Sequence, residues 1–193
     1  MDPDIHRTIS FWFDRPHTHW FRPPEKFDDE IRANFGPLIT RAHTHELDAW
    51  ADEPQGSLAL LLLLDQFPRN VFRGSPDSYS SDAKACSVAV RSIARGFDHQ
   101  QATRIQQLFF YMPLMHDEQL VSQIACVALF EQLAAACESG SDEHMFVSSS
   151  IKFAKDHRDI ILKFGRFPSR NKLLGRCNTP EEIEFLKDHP LGF

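Results

Sequence analysis

The sequence predicts an all-α protein. Long segments carry apolar residues three and four apart, strand-like alternation is scarce, and Gly or Pro marks the turns between segments. These patterns predict a helical bundle or an array of helical hairpins, with about seven to eight helices. No stretch reads as a linker, so residues 1–193 are expected to form a single helical domain.

The first strong helix is expected from Phe27 to Trp50, with Ile31, Phe35, Leu38, Ile39, Ala42 and Leu47 mostly on one stripe. Gly36-Pro37 is expected to kink or split it. Ser57 to Asp65 is apolar almost all round, which predicts a buried helix. Ser78 to Arg95 follows, with Gly96 as its stop signal. Gln100 to Tyr111 comes next and is ended by Pro113. Asp117 to Cys137 opens on acidic residues, as the positive end of a helix prefers. Asp142 to Phe164 is long and runs into Gly165. The last helix opens at Thr179-Pro180-Glu181-Glu182, where Thr179 suits the cap, Pro180 the first helical position and Glu182 the reciprocal capping position.

Composition narrows the setting. A chain of 193 residues can bury a sizeable core, and 42% hydrophobic with 25% charged residues is ordinary globular usage. Phe is abundant at 17 against 2 Tyr, which predicts an aromatic, dry core. A net charge of -6 argues against a general binder of nucleic acid or of an anionic membrane. The longest apolar run, Leu58 to Leu64, is far short of the roughly 20 residues of a spanning helix, so no membrane passage is expected. Cys86, Cys126, Cys137 and Cys177 form no CxxC pair, and MDPDIHRTIS holds no apolar signal core. A reduced, cytoplasmic setting is the expectation. No cofactor is expected either, because GxxxxGK[ST], GxGxxG and GxSxG are all absent. No metal is expected: there is no HExxH, and the i, i+2 pairs His17/His19 and His43/His45 diverge on a helix.

The strongest local signal is charge. Residues 157–176 hold Arg158, Lys163, Arg166, Arg170, Lys172 and Arg176 against Asp159, a net of +5 in a chain whose remainder carries -11. Arg outnumbers Lys by 14 to 7, a hint of planar, two-pronged pairing. The segment also echoes an earlier one. LLDQFPRNVFRG at 63–74 and KFGRFPSRNKLLGR at 163–176 each run from an apolar helix end through Phe-Pro to Arg-Asn and then Gly. If Pro68 and Pro168 open new helices, Arg69 and Arg170 sit at positive helix ends, where a cation is disfavoured by ~0.3–1 kcal/mol. Two readings offset that penalty: each Arg holds a phosphate or carboxylate ligand, or each pairs with a buried acid such as Asp65 or Glu118. The second is favoured. Other candidates are His116, which with Glu118 could serve acid–base chemistry or merely complement a helix start, and His157, placed on an inward stripe with Phe146, Ser150, Phe153, Ile160 and Phe164.

These stretches resemble a family. Ile9-Ser10-Phe11-Trp12-Phe13, Leu47-Asp48-Ala49-Trp50, LLLLDQFPRNVFRG at 61–74, FFYMPLMHDE at 109–118 and HRDIILKFGRFPSRNKLLGR at 157–176, with Thr179-Pro180-Glu181-Glu182, are similar to the bacterial domain-of-unknown-function family numbered 924, and to its proteobacterial members. The resemblance runs nearly end to end. It implies a tetratricopeptide-like helical fold and no known activity. Two positions depart from the usual pattern: Asp117 stands where Ser is usual, and Ser169 where His is usual. The second departure would remove any catalytic role for a His there.

The candidate site residues are therefore Asp65, Gln66, Arg69, Asn70, Arg73, His116, Glu118, His157, Arg166, Arg170 and Asn171. The leading expectation is a binding module whose Arg69, Arg73, Arg166 and Arg170 meet an anionic small molecule or an acidic peptide. An enzyme acting on a phosphorylated or carboxylated small molecule, with His116 or His157 as base and Glu118 or Asp65 as partner, is the alternative. A third reading makes the motifs purely structural, with function on a surface that meets a protein partner.

Overall fold

A computed structural model describes residues 2–101 and 103–190. Among them there is no strand, and helices follow one another along the chain. The fold is all-α, as the apolar spacing predicts. The residues pack as two compact units that divide between Pro113 and Leu114.

In the N-terminal unit, α1 (Pro3–Phe13) is capped by the Asp2 side chain, which accepts from the Asp4 N–H. Helix α2 (Phe27–His43) runs unbroken through Pro37, so the expected split does not occur. Its buried stripe of Phe27, Ile31, Phe35, Leu38, Ile39 and Ala42 holds it against the core on both sides of the proline. It stops well before Trp50. His45 takes the left-handed conformation (φ 69°), and Asp48–Asp52 form a separate 3-10 turn.

The second difference lies at Pro68. Pro54–Leu61, a π-type turn Leu62–Gln66 and Phe67–Val71 run on as one element, α3. No new helix opens there. Proline lacks an N–H, and its ring crowds the carbonyl four residues back. The wider turn absorbs this: the Phe67 N–H reaches the Leu62 carbonyl, five residues back. The Leu64 carbonyl, deprived of its usual donor, accepts the buried Ser81 hydroxyl at 2.6 Å. Leu58 to Leu64 are all at most 1% exposed, as an all-round apolar helix should be. Trp12, Phe35 and Phe67 pack with centroids 5.0–5.5 Å apart along the contacting pairs, confirming the aromatic core. Helix α4 (Asp82–Ala94) follows and packs on α3.

Close approach matters at Gly56. A Cβ there would meet the Trp50 carbonyl oxygen at 2.3 Å, a backbone atom that cannot swing aside. Gly56→Ala should therefore destabilise the fold by about 1–3 kcal/mol despite the better helix propensity of Ala. Urea unfolding of the variant beside wild type checks this, and a gain in stability would contradict the packing described.

In the C-terminal unit, α5 (Leu120–Ala135) and α6 (Asp142–Phe164) form a packed hairpin. Helix α5 opens three residues after the expected Asp117. Gln123, fully buried, donates from Nε2 to the carbonyls of Leu114, Met115 and Asp117 at 3.2, 2.8 and 2.6 Å. Those carbonyls are thus satisfied without a helix, and residues 117–119 stay a turn after Met112–His116. The Asp117 carboxylate serves the opening all the same, accepting the Ser122 hydroxyl at 2.6 Å. Helix α6 matches its expected bounds, capped by Ser141 and ended by left-handed Gly165 (φ 69°). Helix α7 (Pro180–Asp188) carries the expected capping box of Thr179 and Glu182. Phe167 is buried with Ile160 and Ile161, and Phe164 and Phe185 pack against them. Among the described residues no helix is long and apolar enough to cross a membrane.

Candidate functional site

The first motif is cross-linked within its own unit. Asp65 is 1% exposed on α3, and Arg69, one turn on, bridges it to Asp82 at the start of α4. The Arg69 Nη1 lies 3.0 Å from Asp65 and Nη2 lies 2.9 Å from Asp82. Nη1 also donates to the Asp65 carbonyl at 2.7 Å, where an interior turn is widened by Pro68. Burial opposes the charge on Arg69, but the two aspartates prevail and push its pKa above the ordinary value. Gln66 donates to the second oxygen of Asp65. Asn70 and Arg73 meet Asp28 in the first turn of α2, at 2.8 and 3.1 Å. The motif thus ties α3 to α2 and α4 through two aspartates that sequence spacing alone did not single out.

The second motif wraps two glutamates. Arg166 grips Glu182 in a two-pronged pair, Nε to Oε1 at 2.6 Å and Nη2 to Oε2 at 2.8 Å. Glu182 Oε2 also accepts the Thr179 N–H at 2.7 Å and the Asn171 amide at 3.3 Å. These donors hold the Glu182 carboxyl at about 2, the Arg166 hydrogen bond contributing most. Arg176 takes Glu118 in the same two-pronged way, at 2.6 and 3.0 Å, and Glu118 also accepts the Phe167 N–H at 2.9 Å. Burial would raise the Glu118 carboxyl, but Arg176, the Phe167 N–H and nearby Arg170 hold it below its usual value. Pro168–Arg170 is a single 3-10 turn, so Arg170 does not stand at a helix N-terminus. Its guanidinium lies 4.5 Å over the Phe167 ring and donates to the His116 carbonyl at 2.9 Å.

Beside these pairs stand two imidazoles. The rings of His116 and His157 are 6.3 Å apart, and His157 meets the Phe167 ring edge-on at 5.4 Å. His157 Nδ1 lies 2.7 Å from the Phe153 carbonyl, an acceptor only, so Nδ1 carries the proton and Nε2 is where the ring can gain a second. Desolvation, then the charges of His116 and Arg170, lower its pKa to about 3. His157 is therefore neutral at pH 7 in an electropositive corner. A base whose conjugate acid is that strong drives proton abstraction poorly. Glu118, held by Arg176, is not hydrogen-bonded to either imidazole.

The sequence candidates thus fall into two groups. Asp65, Gln66, Arg69, Asn70 and Arg73 lie in the N-terminal unit, and His116, Glu118, His157, Arg166, Arg170 and Asn171 in the C-terminal unit. Arg176 and Glu182 complete the second group. Their signals were present in the sequence, a cation within the basic island and a capping glutamate, but neither pointed to the other's neighbourhood.

Fold and side-chain arrangement define a class: an all-helical protein with two Phe-Pro motifs, each locked by arginine–carboxylate pairs. The chain belongs to the family of bacterial proteins of unknown function DUF924, whose model matches residues 8–189. It is similar to a solved structure, the protein of unknown function ATU0120 from Agrobacterium tumefaciens, at 35% identity and a TM-score of 0.81 over 95% of this chain and 97% of that one. No match is found among curated proteins.

Proposed function

We propose that this protein is a binding module for an anionic group, received in the C-terminal unit at the imidazole pair His116–His157 beside Arg170. On this reading Arg69, Arg73 and Arg166 frame the fold and do not contact the ligand. The observation that supports it is the charge environment of His157. Burial most of all, then His116 and Arg170, oppose its protonation against the Phe153 carbonyl and Asp156, and a bound anion would offset the two positive charges. A carboxylate of an acidic peptide or the phosphate of a small molecule would supply the same charge. The enzyme alternative is the weaker one, because an imidazole whose pKa lies at about 3 is a poor general base near neutral pH.

The sign of the pH dependence follows. Without ligand, His157 is neutral across pH 5–8, since its pKa is about 3. This reading requires the anion to lift that pKa above about 5.5, in which case binding takes up a proton and strengthens as pH falls. Sulfate is the suitable probe because it does not itself titrate in this range. At 100 times its dissociation constant a ligand adds about 2.7 kcal/mol, which is roughly 5–10 °C in melting temperature for a chain of this length. The shift with sulfate should be larger at pH 5.5 than at pH 8 and should vanish in His157→Gln and Arg170→Ala. If sulfate, phosphate and dicarboxylates all leave wild type unmoved, the anion reading is lost and a scaffold that meets a protein partner replaces it.

A further inference from the structure

A separate cavity of about 510 Å³ lies in the N-terminal unit, between the 3-10 turn Asp48–Asp52 and the C-terminal end of α4. Its size is within the range of small-molecule sites. One wall carries Asp48 and Asp52, and the facing wall carries Arg91 and Arg95. Ala51 and Ala94 keep the space between them open. Arg91 and Arg95 stand four residues apart, so they share one helical face.

The two ends of this cavity differ. At one end Arg95 closes the gap, with Nη1 3.2 Å from Asp52 and 3.2 Å from the Ala51 carbonyl. At the other end no ion pair joins Arg91 to Asp48. Asp48 turns to Lys84 Nζ at 2.5 Å and to His45 Nδ1 at 2.9 Å, while Lys84 itself donates to the Ala42 carbonyl at 2.7 Å. Burial opposes the charge on Asp48, but Lys84 and His45 hold its carboxyl below the usual value, so it is ionised at neutral pH. Two of its four lone-pair positions are taken, which leaves acceptor capacity toward the cavity. Among the described residues Arg91 has no hydrogen-bond or ion-pair partner, so its full donor fork is available.

We infer that this cavity binds a small zwitterion, such as an amino acid or an amino-phosphate, with its acid group on the Arg91 fork and its ammonium on the Asp48/Asp52 wall. A planar guanidinium grips a carboxylate or phosphate through two parallel hydrogen bonds. An ammonium donates three and suits a pair of carboxylates. Opposite charges on opposite walls fix the orientation of such a ligand and disfavour a plain anion, which would face Asp48 and Asp52.

The test is a thermal-shift and calorimetric panel of the twenty common amino acids and phosphoethanolamine, with acetate and ethylammonium as one-headed controls. At least one zwitterion should raise the melting temperature where neither control does. Arg91→Gln should raise its dissociation constant at least tenfold. His157→Gln should leave that binding unchanged, which separates this site from the C-terminal one. If no zwitterion shifts wild type, or if Arg91→Gln binds as wild type does, the assignment is overturned. Arg91 is exposed and, among the described residues, held by no hydrogen bond or ion pair, so its variant should fold normally, and circular dichroism confirms that before binding is measured.

Discussion

Arg69→Ala should destabilise the N-terminal unit by about 3–5 kcal/mol, the usual loss when one member of a buried ionic group is removed. Asp65 is 1% exposed and the Asp82 side chain 13%, and both face the Arg69 guanidinium. Truncation leaves two carboxylates close together with no charge between them. It also removes the donor to the Asp65 carbonyl, whose place in the helix is already disturbed by the π-type turn. The decisive control is to remove the charges together. Asp65→Leu, Arg69→Leu and Asp82→Leu combined should recover much of the loss, because well-packed apolar groups often replace a buried ionic triad at little net cost. Denaturant unfolding of the single and triple variants measures both. A loss under about 1 kcal/mol in Arg69→Ala would falsify the view that this arginine is an internal cross-link.

Much of this fold was legible because its signals are local. Ser141 before α6, Gly165 after it, and Thr179 to Glu182 at α7 each act within one turn of the residue that reads them. The stripes of Phe27 to Ala42 and of Leu58 to Leu64 needed only the helical period. What escaped sequence reading depended on distant partners. Pro68 signals a helix break, yet α3 continues, with Ser81, seventeen residues beyond Leu64, serving the Leu64 carbonyl that Pro68 cannot. The absence of a helix at Asp117 depends likewise on Gln123 reaching back under the turn. The motif arginines showed the same limit. Their need for acids was readable, and of the two acids named as partners Asp65 does pair with Arg69. Glu118, however, is gripped by Arg176 from fifty-eight residues away, whereas Arg170 lies over Phe167 against the His116 carbonyl. Charge is written in the sequence, but the choice among six neighbouring cations is made by the path of the chain through Gly165 and Gly175, both left-handed.

Glu182 should be the corresponding weak point of the C-terminal unit. Its carboxylate accepts from Arg166 by two bonds, from the Thr179 N–H and from the Asn171 amide, so one side chain closes a helix cap and fastens the motif to α7. Glu182→Ala is expected to cost about 3–5 kcal/mol, since it leaves the half-buried Arg166 and the buried Asn171 without their shared acceptor. The folded carboxyl titrates at about 2, below the ordinary glutamate value, so its contribution is present above pH 4.5 and fades as pH falls toward 2. The stability gap between wild type and Glu182→Gln should therefore be constant from pH 7 to pH 5 and narrow below pH 4.5. The lowered Glu118 carboxyl acts in the same direction in both proteins and so cancels from the difference. Denaturant midpoints at pH 7, 5 and 3.5 suffice to follow it. A gap that is small at pH 7, or that widens in acid, would mean that the cap is made by Thr179 alone and that Arg166 is not held by Glu182 in solution.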